Sequence, residues 1–285
     1  MTALQEKLFK LITRKRFRKW ALPEDATLRI KKALEVCTTL HKPLNFVFEF
    51  GGYKLWRLPS APYPDLAETY MLRHYADYLE PIADLYDPGV HLYFASDDCV
   101  VERMNNIKPE AMEIYAKAFQ RCLEEIKPDL PDNLNMSYIR LGQLYDSKEL
   151  LEEELKLTFA FNMNKFRTWS EEKKERMRKR ALLNFCPSGP LAASDLSGIS
   201  EEELQKRLIQ GAVYHDAFED CSKRRDFVLA EDKILLFCTP IPQAVAIGTT
   251  KASVTKFWTG VGVCENGLHK VLSPLAWQQR QKENQ

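Results

Sequence analysis

Two short apolar runs that flank a predicted helix constrain the fold of this chain more than any other feature. The first run, residues 46–50, stops at Gly51-Gly52, and the second, residues 91–95, ends at Ser96-Asp97-Asp98. The segment therefore predicts a strand, a loop, a helix and a second strand in succession. In an open α/β sheet, ligands bind in the crevice beyond the carboxyl ends of the strands. We therefore expect a small-molecule site, most simply that of an enzyme, where the two runs end.

The patterns along the rest of the chain extend this unit to a complete α/β fold. Further strands are predicted at 135–142 and 233–238, and a final hairpin turns at Asn266-Gly267, because Asn-Gly favours a type I′ turn. We expect a Rossmann-like three-layer sandwich, with a mostly parallel sheet, helices on both faces and a helical insertion at about 147–185. Residues 1–275 are expected to form a single catalytic domain, and residues 276–285 a disordered tail.

Composition and charge exclude several classes of protein. The net charge of the 285-residue chain is +1, so no overall field attracts nucleic acid or an anionic membrane. No window approaches the roughly 18 uninterrupted apolar residues of a membrane-spanning helix, and the N-terminus lacks the apolar core of a signal peptide. The 7 cysteines have no CxxC spacing, which is typical of reduced thiols. We therefore expect a cytoplasmic protein with no nucleic-acid or membrane partner.

Two cations follow the first strand. Gly51-Gly52 allows the backbone to approach a ligand closely, and Lys54 and Arg57 come directly afterwards. The cations suit a phosphate or a carboxylate, while Lys54 also suits an imine with a carbonyl substrate. An equally good interpretation is that both are surface charges of a loop. The GxxxxGK[ST] spacing is absent, so a triphosphate-binding loop is not supported.

Two adjacent carboxylates follow the second strand. Asp97 and Asp98 can repel each other, which raises the pKa of one and suits a general base. They also suit a hydrated divalent cation or a helix N-cap, but we favour a catalytic role for Asp97. The 5 histidines form no zinc-binding pattern, and we expect neither a metal nor a cofactor. Arg224-Arg225 suits a phosphate clamp or salt bridges with nearby acidic residues.

The order of these features resembles the isonitrile (isocyanide) synthases of the pyoverdine and dityrosine biosynthesis type. In that family a strand is followed by a lysine in a proline-rich loop, PD-x-x-E, Y-x-P-G and a strand ending in Ser-Asp-Gly. The matching residues here are Lys54, Pro64-Asp65, Glu68, Leu72, Tyr86, Pro88-Gly89 and Ser96-Asp97. Asp98 stands where the family has glycine, and Thr239-Pro240 is followed by Ile241-Pro242 rather than by Trp-His.

The resemblance implies a reaction and a set of residues. The amine of an amino acid would condense with the ketone of ribulose 5-phosphate, and fragmentation of the sugar would leave one carbon on nitrogen as an isonitrile. The implied catalytic residues are Lys54, Asp97 and Glu68. The candidates for substrate and phosphate binding are Arg57, Asp98, Arg103, Arg224 and Arg225.

That reaction requires no redox cofactor or obligatory metal, and its substrates would be the partners of the protein. A homodimer is compatible with the sequence. The two departures from the family pattern leave two alternatives open. One is a different transferase or lyase reaction on the same scaffold, and the other is a non-catalytic relative that binds a small molecule.

Overall fold

The computed structural model describes most of the chain, in seven stretches. These are residues 1–18, 20–52, 54–58, 60–105, 107–184, 200–248 and 259–283. Within them, the side chains of residues 56, 57, 103–105, 178–184 and 204 are not described.

A five-stranded parallel sheet forms the centre of the molecule. Its strands are β1 (Leu44–Glu49), β2 (Val90–Ser96), β3 (Leu134–Arg140), β4 (Lys233–Phe237) and β5 (Ala244–Ala246). Their order across the sheet is β3-β2-β1-β4-β5. After β1 the chain adds β2 and β3 on one side of this strand. It later returns and adds β4 and β5 on the other side. The switch point therefore lies between β1 and β4, where such sheets form their ligand crevice.

Helices surround this sheet, and a hairpin follows it. The helices are α1 (Ala3–Ile12), α2 (Glu24–Leu40), α3 (Lys54–Arg57), α4 (Leu66–Ala83), α5 (Asp98–Asn105), α6 (Pro109–Ile126), α7 (Lys148–Arg167), α8 (Glu171–Asn184), α9 (Glu201–Glu219), α10 (Ser222–Val228) and α11 (Pro274–Glu283). The hairpin consists of β6 (Val261–Glu265) and β7 (Leu268–Leu272). At its tip Asn266 and Gly267 have φ values of 51° and 74°, as the predicted type I′ turn requires. None of the helices in the described ranges is long and apolar enough to cross a membrane.

The alternation of side chains along β1 and β2 separates two apolar cores. Phe46 and Phe48 pack into a core with residues of α1, α2, α4 and α6. Val47 and Ala95 pack into a second core with residues of α7, α9 and α10. Since successive side chains of a strand point to opposite faces, Glu49 continues the face of Val47. The expected α/β fold, with a parallel sheet and helices on both of its faces, is confirmed.

The C-terminus differs from the expected disordered tail, because α11 occupies most of it. Ser273 Oγ accepts a hydrogen bond from the backbone N–H of Ala276 at 3.2 Å and so caps the helix. The indole N–H of Trp277 donates to Ser60 Oγ at 2.9 Å, and Arg280 pairs with Glu265. The contacts of Trp277 and Arg280 join residues distant in sequence, which is why the polar composition of the tail gave no sign of them.

Candidate active site

Two polar clusters lie near the carboxyl end of the sheet, on its opposite faces. The first consists of Lys54, Asp65, Glu68 and Tyr115 and is called the Lys54 cluster below. It packs on the face that carries α4 and α6. The second consists of Glu49, Asp97 and Arg224 and is called the Asp97 recess. It lies on the face that carries α9 and α10. The sequence had grouped Lys54 and Glu68 with Asp97, whereas the structure separates them.

The Lys54 cluster is a closed network. Lys54 Nζ lies 2.6 Å from Glu68 Oε2 and 2.9 Å from Asp65 Oδ2. The Tyr115 hydroxyl donates to Glu68 Oε1 at 3.3 Å. Asp65 and Glu68 also form a capping box at the start of α4. Asp65 Oδ1 accepts from the N–H of Ala67, and Glu68 accepts from the N–H of Asp65.

Burial determines the electrostatics of this cluster. The side chains of Lys54 and Glu68 are both 0% exposed. Desolvation raises the pKa of Glu68 to about 7, even though the charge and the hydrogen bond of Lys54 oppose the shift. In this closed arrangement a substrate has no access to Lys54. The ammonium could react with a substrate only after the surrounding groups had moved.

The Asp97 recess is built by three elements. Glu49 ends β1, Asp97 directly follows β2, and Arg224 lies in the first turn of α10. The Arg224 guanidinium donates to the Glu49 carboxylate and, at 3.3 Å, to the carbonyl of Glu219. The side chain of Arg224 is only 8% exposed, whereas Asp97 keeps partial contact with solvent. The recess therefore holds two carboxylates and one guanidinium beside β1, the strand next to the switch point.

Asp97 is the residue of the recess whose pKa suits acid–base chemistry. Burial is the largest cause that raises its pKa, to about 7, and the negative charges of Glu49 and Asp98 add to the shift. Arg224 acts in the opposite direction. A carboxyl group with a pKa near neutrality can both accept and donate a proton at physiological pH. Acidic groups whose pKa is raised by burial and that lie beside a specific charged partner are typical of functional sites.

Asp98 faces a different environment from Asp97. It is buried, accepts from the N–H of Cys99 at 2.8 Å, and pairs with the Nε–H of Arg140. Arg140 also contacts Glu113 at 2.6 Å and Glu102 at 3.7 Å. Asp98 is therefore engaged in a structural ion pair. The carboxylates around Arg140 would repel the negative charge of a ligand. A cleft of about 680 Å³ lies beside this ion pair. The Arg140 guanidinium, which lines the cleft, already contacts three carboxylates.

Arg225 is the one other candidate arginine whose side chain is described. Arg225 lies on the same short helix but is exposed. Arg57 ends α3 and Arg103 lies within α5, but their side chains are outside the described part of the structure. A phosphate contact for these three arginines therefore stays a prediction.

A group of three residues on α9 is the arrangement that a metal ion would fit best among the described residues. His215, Asp216 and Glu219 offer ligand atoms that lie within 4.8 Å of one another. His215 Nδ1 is 3.4 Å from Glu219 Oε1, which is the geometry of an ordinary i,i+4 pair on a helix surface. Since all three come from one helix and Glu219 is exposed, we assign no metal to them.

Comparison with known proteins supports the interpretation of the sequence. The family model described as "Pyoverdine/dityrosine biosynthesis protein" matches residues 60–188, which include Asp65, Glu68 and Asp97. The expected resemblance to the pyoverdine/dityrosine biosynthesis family is confirmed. The fold is similar to that of the PvcA protein from Pseudomonas aeruginosa, whose crystal structure aligns with a TM-score of 0.68 and 17% identity. The alignment covers 97% of this chain and 94% of that one. Among curated protein sequences, none matches the chain significantly.

The ion pair of Asp98 accommodates a buried carboxylate at the position where the resemblance implies a glycine. A carboxylate in place of a glycine would be costly in a buried site without a cation. Arg140, at the end of β3, supplies that cation. The substitution therefore comes with a compensating partner, and Asp97 keeps its place at the end of β2.

Glu49 and Arg140 belong to these networks but are not among the residues that the sequence pattern singles out. Glu49 was treated as part of an apolar strand, although its alternation with Val47 gave a usable signal, since it predicts that both lie on one face. Arg140 was treated only as part of a predicted strand. Its partners Asp98 and Glu113 lie 42 and 27 positions away in the chain, so no local pattern could join them.

Proposed function

We propose that this chain is a biosynthetic enzyme of the isonitrile-synthase type, which condenses the amine of an amino acid with the ketone of ribulose 5-phosphate in the cytoplasm. The observation that carries the proposal is Asp97. Its carboxyl group follows a buried parallel strand, has a pKa raised to about 7, and lies in the segment that matches the biosynthetic family. Acid–base catalysis is what the formation of a carbon–nitrogen bond from an amine and a ketone requires.

The charges of the recess suit an amino acid better than a phosphate. Glu49 and Asp97 provide two carboxylates against the single guanidinium of Arg224. An ammonium group is attracted to such a site, while a phosphate dianion is repelled by the carboxylates. In the proposed arrangement the ammonium lies against Glu49 and Asp97, and Arg224 binds the carboxylate of the same amino acid.

The first step of the reaction follows from this arrangement. Deprotonated Asp97 accepts a proton from the ammonium, and the nitrogen lone pair then forms a bond to the ketone carbon. The protonated Asp97 returns the proton to the former carbonyl oxygen. It then carries a second proton from the nitrogen to the resulting hydroxyl, which leaves as water as the protonated imine forms. One group performs both transfers because its pKa lies near the working pH.

The remaining candidates take supporting roles in the proposal. Arg57, Arg103 and Arg225 are proposed to hold the phosphate of the sugar, outside the acidic recess. Lys54 and Glu68 are proposed to fix the loop between β1 and α4, because they bind each other and are closed to solvent. No step of the proposed condensation passes through a metal or a cofactor.

The proposal is tested with ribulose 5-phosphate labelled with carbon-13 at the ketone carbon. The protein is incubated with the labelled sugar and a pool of amino acids, and the products are identified by mass spectrometry. We expect one amino acid to disappear and the label to appear in the carbon bonded to its nitrogen, as an isonitrile. Absence of any sugar consumption would refute the proposal. Consumption with the label in another functional group would favour a different transferase or lyase.

A further inference from the structure

We propose that Glu154 of α7 is a positioning residue, which holds α10 so that Arg224 keeps its place in the Asp97 recess. The structural part of this inference concerns Arg224 and Glu49 alone, and its consequence for substrate rests on the proposed function. Because α7 lies in the predicted helical insertion, the inference assigns this insertion a structural role in the site.

The helix that carries Arg224 needs support from outside. α10 has only seven residues, from Ser222 to Val228. Isolated helices of that length are unstable in water. Its N-cap residue, Cys221, makes no capping hydrogen bond through its side chain. The first backbone N–H groups of a helix have no partner within the helix, so another group must accept from them.

Glu154 provides that acceptor. Its Oε1 accepts from the backbone N–H of Ser222 at 2.7 Å, and its Oε2 accepts from the Ser222 hydroxyl at 3.1 Å. The Tyr145 hydroxyl donates to Oε2 at 2.6 Å and so fixes the carboxylate from the other side. A carboxylate at this end of a helix is also favoured by the helix dipole. Although partial burial acts to raise the pKa of Glu154, these hydrogen bonds hold it below its ordinary value.

Ser222, which is hydrogen-bonded to Glu154, and Arg224 belong to the same helical turn. Arg224 lies two residues after Ser222, and its guanidinium is fixed between the Glu49 carboxylate and the Glu219 carbonyl. The guanidinium also lies 5.7 Å from the centre of the Phe218 ring. A displacement of the first turn of α10 therefore moves Arg224 away from Glu49, and the recess loses its cation.

The structural claim is tested by a double-mutant cycle that needs no ligand. The coupling between Glu49 and Arg224 is measured by urea unfolding of E49Q, R224Q and the double variant, in the wild-type background and with E154A. We expect E154A to remove more than half of the coupling. E153A, which truncates an exposed neighbour on α7, should leave it unchanged. E154Q keeps an acceptor for Ser222 and should restore most of it. An unchanged coupling in E154A, or in E154L if E154A does not fold, overturns the inference.

The functional consequence is tested with the amino acid that the labelled-sugar experiment identifies. We expect E154A to raise KM for that amino acid about tenfold and to change kcat less than threefold, because Arg224 binds its carboxylate. Combining E154A with R224Q should give no larger KM than R224Q alone. Additive effects would overturn the inference. If the wild-type protein consumes no sugar, the proposed function fails, while the unfolding cycle still decides whether Glu154 positions Arg224.

Discussion

Asp97 and Asp98 are neighbours in the chain, yet they contact different partners and take different roles. Asp98 is neutralised by Arg140, whereas Asp97 faces the carboxylate of Glu49 as well as the guanidinium of Arg224. Burial is the largest cause that raises the pKa of Asp97, and the negative charges of Glu49 and Asp98 add to the shift. At the scale of single residues, the candidate site depends on this division between two adjacent side chains.

The raised pKa of Asp97 has a consequence for stability. Between its ordinary pKa and about pH 7, the folded protein holds a proton that the unfolded chain has lost, so the contribution of Asp97 to stability falls as the pH rises. We expect Asp97→Asn to stabilise the protein at pH 8 by on the order of 1 kcal/mol, and to have little effect at pH 4. Urea unfolding at both pH values measures this. A variant that is equally destabilised at both would contradict the assigned pKa.

The Lys54 cluster leads to a prediction about single and double variants. Lys54→Met leaves the buried carboxylate of Glu68 without its cation, and we expect a loss of about 3 kcal/mol at pH 8. The loss should be smaller at pH 5, because Glu68, with its pKa of about 7, can then take up a proton. Adding Glu68→Gln should recover at least half of the loss, since the amide still completes the capping box.

The same unfolding experiments contain their control. Lys117→Met removes an exposed lysine that pairs with Glu113 at 3.5 Å, and it should change stability by less than about 0.5 kcal/mol. If Lys54→Met were as mild as this control, the buried pair would contribute nothing to holding the loop after β1.

At the scale of elements, the hairpin β6–β7 is attached to the Lys54 cluster by a close backbone contact. The N–H of Gly262 donates to Asp65 Oδ1 at 3.0 Å, while Oδ2 of the same carboxylate contacts Lys54. A Cβ atom on Gly262 would lie only 2.4 Å from the backbone nitrogen of Ala67. The hairpin can therefore pack on the start of α4 only if this position is glycine.

Gly262→Ala is expected to displace the hairpin and to destabilise the protein by about 2 kcal/mol, because the neighbouring atoms are backbone atoms and the Cβ of Leu66, which cannot give way. Thermal unfolding measures the loss. Gly142→Ala serves as the control, since its new methyl group would meet its nearest neighbours, Cys99 and Leu151, at 3.4 Å. Equal stability of the two variants would show that the hairpin does not pack as described.

The elements themselves were predictable where a local pattern specified them. The two strands of the opening unit, the capping box at Asp65 and the turn at Asn266-Gly267 all follow from adjacent residues. The short strand β5 and the helix α11 were missed. β5 has only three residues and is defined by its pairing with β4, while α11 is held by contacts with Ser60 and Glu265. Such partners are distant in sequence and leave no local signal.

At the scale of the whole molecule, the order of the strands was beyond the reach of the sequence. Phe48 of β1 pairs with Phe94 of β2 on one side and with Leu236 of β4 on the other. The second pairing joins residues nearly two hundred positions apart and creates the switch point. The sequence indicated which strands end in charged residues, but not that Lys54 and Asp97 would lie on opposite faces of the sheet.

In the proposed mechanism, chemistry takes place in the Asp97 recess rather than at the Lys54 cluster. The most direct test compares the rate of ribulose 5-phosphate consumption by the wild-type protein, Asp97→Asn, and Lys54→Met combined with Glu68→Gln, from pH 5 to pH 9. We predict that the wild-type rate rises through about pH 7, where Asp97 loses its proton. Asp97→Asn should be slower by about 10²–10⁴-fold, and the double variant should stay within about tenfold of wild type. An inactive but folded double variant, together with an active Asp97→Asn, would contradict the account.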